Sequence, residues 1–90
     1  MKLPLRISNL LCIDDLELRV RPERDLAQHQ IVSWSATIHT RGGRWVWTDG
    51  EGRTPDEAVS DLLKQNAEDI EATCRERESE GYDLNLKPAA

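Results

Sequence analysis

The stretch from Gly50 to Cys74 constrains this chain more than any other, because it writes a helix start in three ways. Thr54 is a good N-cap, Pro55 stands at the first helical position, where a missing N–H costs nothing, and Glu57 completes a capping box. Asp56 and Glu57 add negative charge at the positive end of the helix dipole. Val59, Leu62, Leu63, Asn66, Ala67, Ile70 and Cys74 then recur at three- and four-residue spacing, which is one face of a helix. The pattern predicts one long helix from Pro55 that turns polar all round after Cys74 and stops at a capping Gly81. Its apolar face needs a sheet to cover.

The residues before it supply that sheet. Leu16, Leu18 and Val20 alternate with Glu17, Arg19 and Arg21 as a half-buried strand, which Pro22 is expected to end. Glu23 to Gln30 reads as a polar loop. Ile31 to Thr40 is a second strand, with Val32, Trp34, Ala36 and Ile38 on one face and Ser33, Ser35, Thr37 and His39 on the other. Gly42-Gly43 signals a two-residue hairpin, since the primed turns need positive φ. That register pairs Thr40 with Trp45 and Ile38 with Trp47, and gathers Trp34, Trp45 and Trp47 on the apolar face. Gly50 and Gly52 read as turn residues. Before the first strand, a short helix over 8–13 is expected. The fold class is therefore α+β, a three-stranded antiparallel sheet packed on one long C-terminal helix. Residues 1–81 form a single domain and 82–90 a tail, in which alternating Tyr82, Leu84 and Leu86 could add a strand to an edge.

Function classes narrow by exclusion. No apolar run approaches a membrane span and no signal peptide opens the chain, so a cytoplasmic protein is expected. Cys12 and Cys74 lack ligand spacing and read as two buried thiols. His29 and His39 have no second ligand at metal spacing, the carboxylate clusters have no apolar setting to raise a pKa, and Ser33 and Ser35 lie in a strand without a nucleophile-presenting turn. No catalytic residues, cofactor or metal are expected. The net charge of −5 is uneven: residues 55–80 carry nine acids against three bases, and the rest of the chain is +1. The acidity belongs to the helix.

The order α-β-β-β-α, with Gly50-Glu51-Gly52-Arg53-Thr54 leading into Glu57-Ala58, resembles the double-stranded RNA-binding domain. The resemblance implies that fold. Where the family places phosphate-binding lysines, this chain carries Pro55, Asp56 and Glu57, which supply the wrong charge for RNA. Gly52, Thr54, Glu57 and Ala58 also resemble the helix entry of HicB-type antitoxins, which implies a toxin as partner.

Two surfaces emerge as candidates. The first is the acidic helix, with Asp61, Glu68, Asp69 and Glu71 as protein-binding residues of a small bacterial or phage regulatory module, its open sheet edges covered by a second copy. The alternative is nucleic-acid binding by Arg19, Arg21, His39 and Arg44 on the polar sheet face. The expected partner is thus another protein or a second copy, with nucleic acid as the alternative.

Overall fold

Thr54 Oγ1 accepts from the Glu57 N–H at 3.1 Å, and Glu57 Oε2 reaches back to the Arg53 N–H at 2.8 Å, so the capping box forms with its return bond one residue earlier than usual. The computed structural model describes residues 3–87. Its elements run α1 (Leu5–Ile13), β1 (Leu16–Asp25), β2 (Gln30–Thr40), β3 (Trp45–Gly52), α2 (Pro55–Gln65) and α3 (Ala67–Ser79). The strands form one antiparallel sheet in the order β1-β2-β3, the α+β arrangement with an N-terminal helix that the sequence implies.

The long helix is instead two. It breaks at Asn66, whose φ of −114° leaves the helical range and whose Nδ2 donates to the carbonyls of Thr48 and Leu62, both at 2.9 Å. Asn66 lies on the face the periodicity marked as apolar, but its amide is spent on a strand carbonyl. α2 lies over β3 and β2 and reaches β1, burying Ala58, Val59 and Leu62. α3 turns away to pack on α1 and buries only Ile70 and Cys74. It ends in a Schellman motif: Gly81, at φ +103°, donates to Glu78 O, and Tyr82 N–H donates to Arg77 O.

Other boundaries move for identifiable reasons. α1 begins at Leu5 because Pro4 sets the entry, its carbonyl accepting from Ile7 and Ser8. β1 continues through Pro22 to Asp25, leaving only 26–29 as a loop. An edge strand tolerates proline where the missing amide faces away from the ladder. The segment 82–87 is no free tail: Leu84 is fully buried, and Asn9 Nδ2 holds the carbonyls of Leu84 and Leu86. Residues 88–90 of the expected tail lie outside the described residues. Cys74 is buried as expected, whereas Cys12 is exposed.

Gly50 and Gly52 belong to β3, not to turns. A Cβ on Gly50 would stand 2.5 Å from Leu62 Cβ, and one on Gly52 would stand 2.5 Å from Glu57 Cβ. The two glycines are the seat on which α2 rests. The core then joins Leu10 and Leu11 of α1, Ala36 and Ile38 of β2, Trp47 of β3, the three buried residues of α2, Ile70, Cys74 and Leu84.

Candidate functional site: the open sheet face

The face of the sheet turned away from the helices is set by an irregular β3. The hairpin loop has three residues, 41–43, rather than two. Thr40 N–H donates to Arg44 O, Gly43 N–H donates to Thr40 O, and Gly43 takes a φ of +91°. One extra loop residue moves His39 opposite Trp45. A register shift at Val46 restores Ile38 opposite Trp47, and a second shift brings Gly50 opposite Ala36, with Asp49 at φ +76° in the gap. The bulges thus split the tryptophans, contrary to the expectation that all three share the apolar face. Trp47 is buried beneath α2, Trp34 is half-buried at the core's edge, and Trp45 stands on the outer face, 57% exposed.

Trp45 sits edge-on to His39, with ring centroids 6.4 Å apart, and His39 is only 3% exposed. Its Nδ1 contacts the Thr40 carbonyl at 2.9 Å. His39, placed on the polar face by alternation, is therefore covered and does not present a ring to a ligand. Beside Trp45 runs a shallow groove of about 340 Å³ lined by Ser35, Thr37, Thr48, Asp49 and Glu51. Asp49 accepts from its neighbour Thr48 at 3.2 Å, and among the described residues neither Asp49 nor Glu51 joins an ion pair.

Arg19 and Arg21 lie across the sheet on β1, between Glu17 and Glu23, and Glu23 accepts from Ser35 Oγ at 3.0 Å. Arg44 is exposed in the turn, where its backbone N–H donates to Thr40 Oγ1. The structure thus separates the four residues of the nucleic-acid reading: two on the far strand, one covered, one in a loop. On the β1 side Glu17 is approached by Arg41 at 3.9 Å, whereas beside Trp45 the charged residues that line the groove are Asp49 and Glu51.

The four acidic candidates separate too. Asp61 Oδ2 accepts from the Glu51 N–H at 2.9 Å, covering the outer edge of β3. Glu71 is bound by Arg6 and by Arg75, the latter at 3.0 Å, and these donors hold its carboxyl below the ordinary glutamate range, Arg6 most strongly. Arg6 also binds Glu78, and Arg77 meets Glu76 at 3.5 Å and Glu80 at 2.9 Å besides Asp14 of the α1–β1 turn at 2.7 Å, so much of the acidity of α3 and its cap is answered by arginines, two of them its own. Of these four, only Glu68 and Asp69 are exposed with carboxylates outside any ion pair or hydrogen bond among the described residues.

The arrangement suits recognition by charge and stacking. An indole flanked by unpaired carboxylates attracts a guanidinium or ammonium group. Sequence reasoning missed Trp45 because alternation counts residues and a bulge adds one. Among the described residues no group of three or more His, Cys, Asp and Glu is arranged to hold a metal ion, and no helix is long and apolar enough to cross a membrane. Comparison with protein-family models, with curated proteins and with solved structures finds no match to this chain.

Proposed function

We propose that this chain is a small, non-catalytic binding module that acts through protein–protein contacts, taking a basic and partly apolar partner surface on its open sheet face. One observation carries the reading: Trp45 is 57% exposed beside a groove whose charged lining residues are Asp49 and Glu51. A phosphate backbone would meet net negative charge there, whereas an arginine or lysine side chain would meet an aromatic face and two free carboxylates. Glu68 and Asp69 on α3 extend the negative surface, in keeping with the chain's net charge of −5. A regulatory or accessory protein of the bacterial or phage cytoplasm is the setting that fits this build, and toxin binding of the HicB kind is one form it would take.

The test sets short arginine- and lysine-bearing peptides against duplex and single-stranded DNA and RNA. Binding is measured at about 50 and 200 mM salt, a range over which a multi-phosphate contact loses much of its affinity. The expected result is capture of basic peptides, lost in Trp45→Ala and in the double change Asp49→Lys, Glu51→Lys. Nucleic-acid binding that falls steeply with salt and fails in Arg19→Ala, Arg21→Ala would overturn the reading and move the function to β1.

A further inference from the structure

In the sheet order β1-β2-β3, β1 is an edge strand, and among the described residues no strand pairs along its outer side. Pro22, paired opposite Trp34, has no amide to give the ladder, so its nitrogen faces outward. The register from Leu16 to Glu23 is unbroken, and backbone groups alternate sides along a strand. Leu16, Leu18 and Val20 therefore also direct their N–H and C=O groups outward. Their side chains face the helix layer, where all three are only half-buried.

The side chains on the other face make this edge complementary to itself. Along β1, Glu17 lies on one side of Leu18 and Arg19 and Arg21 on the other, and Asp15 stands in the turn just before the strand. In an antiparallel pair with a second copy, centred on Leu18, every outward-facing backbone group meets its counterpart: Leu18 opposite the partner's Leu18, Leu16 opposite the partner's Val20. On the open face Glu17 then meets the partner's Arg19, and the two-fold repeats that pair, while Arg21 reaches the end of the partner's strand, where the acidic turn residue Asp15 stands. On the inner face only leucine and valine meet. Sliding the register by two residues, the smallest step that keeps the backbone groups matched, sets Glu17 against Glu17 or Arg19 against Arg19. Like charges directly opposite destabilise a strand pair. Arg19 and Arg21 have no ion-pair partner within the chain among the described residues. Asp15 is 63% exposed and Glu17 50%, although Arg41 approaches both, at 3.0 and 3.9 Å.

We infer that two copies of this chain join along β1, antiparallel and in register at Leu18, to form a continuous six-stranded sheet with the two Trp45 faces on the same side. The inference does not depend on the function proposed above, since Trp45, Asp49 and Glu51 take no part in the contact. Pairing would also finish the burial of Leu16, Leu18 and Val20 and remove a long free edge, which is an aggregation hazard in a monomer.

Sedimentation of the full chain over a wide concentration series reads the dimer, and a charge-swap cycle reads its register. Glu17→Arg alone, or Arg19→Glu alone, places like charges opposite each other twice by symmetry and should weaken the dimer about tenfold or more. The double change Glu17→Arg, Arg19→Glu restores opposite charges and should recover most of the affinity. Hydrogen exchange supplies the second measurement: the amides of Leu16, Leu18 and Val20 should be protected in the dimer and lose that protection on dilution. A chain that stays monomeric throughout overturns the inference. So does a dimer in which these amides exchange freely, or one whose single and double variants behave alike. An edge occupied only by an added extended peptide would assign β1 to a different partner and equally overturn it. Circular dichroism of each variant separates lost pairing from lost folding.

Discussion

α2 and α3 are neighbours in sequence, similar in length and both acidic, yet they are held by different forces. In its 11 residues α2 buries Ala58, Val59 and Leu62 and rests on glycines that leave no space for a methyl group. In its 13 residues α3 buries only Ile70 and Cys74, and much of its remaining attachment is ionic, through Arg6 to Glu71 and Glu78 and through Arg77 to Asp14. Packing falls off within a few tenths of an ångström of misfit and ignores salt. Exposed ion pairs tolerate movement but weaken with salt and with protonation. One helix is thus placed by shape, the other by charge.

The largest expected effect tests the placement by shape. Gly50→Ala would drive a Cβ to 2.5 Å from Leu62 Cβ and 2.6 Å from the Ala58 carbonyl, so α2 must lift or β3 must bend. Urea denaturation should show a loss of about 3 kcal/mol, at the upper end for overpacking. A loss below about 1 kcal/mol, within the range of an ordinary surface change, would mean that α2 is not seated as tightly as its contacts imply.

Next comes the joint between the two helices. Asn66→Ala removes the donor to Thr48 and Leu62 and leaves the Thr48 carbonyl at the bulge without that partner. The expected cost is about 1–2 kcal/mol. An unchanged midpoint would show that the break between α2 and α3 does not depend on this side chain.

The ionic attachment of α3 should respond to pH where α2 does not. Glu71 has its carboxyl held below the usual 4.5, chiefly by the hydrogen bond from Arg6. Because the folded state favours the charged form, its contribution is complete above pH 4.5 and is lost as the pH falls through the lowered folded value. Hydrogen exchange should therefore show α3 amides opening in acid before those of α2, and added salt should act in the same direction. In Arg6→Ala the α3 amides should already open more readily at neutral pH, with a weaker acid dependence. If both helices opened together under every condition, the contrast between them would fail.

The smallest effect on stability separates fold from function. Trp45→Ala should change the unfolding free energy by only about 0.5 kcal/mol, as for a surface position, while removing capture of basic peptides. A large destabilisation would make Trp45 a structural cover for His39 instead.

Much of this molecule follows from local chemistry. The start of α2 depends on Thr54, Pro55 and Glu57 meeting backbone groups within a few residues of themselves, and the stop at Gly81 on one residue that adopts positive φ without strain. The alternation of Leu16, Leu18 and Val20 with charged residues needs only the two-residue period of a strand. Each is legible because its partners are sequence neighbours. Asn66 looked like part of an apolar face until Thr48, 18 residues away, claimed its amide. Gly50 and Gly52 looked like turn residues until α2 came down on them. The face on which Trp45 lies was decided by a third loop residue and by bulges in β3, and a shift of one residue reverses every side chain beyond it. Arg6 and Asp14 gave no sign that they would answer the acids and the arginine of α3. Bonds between neighbours are written in the sequence itself; which distant group fills a hole, takes a carbonyl or neutralises a charge was settled only when the helices closed over the sheet.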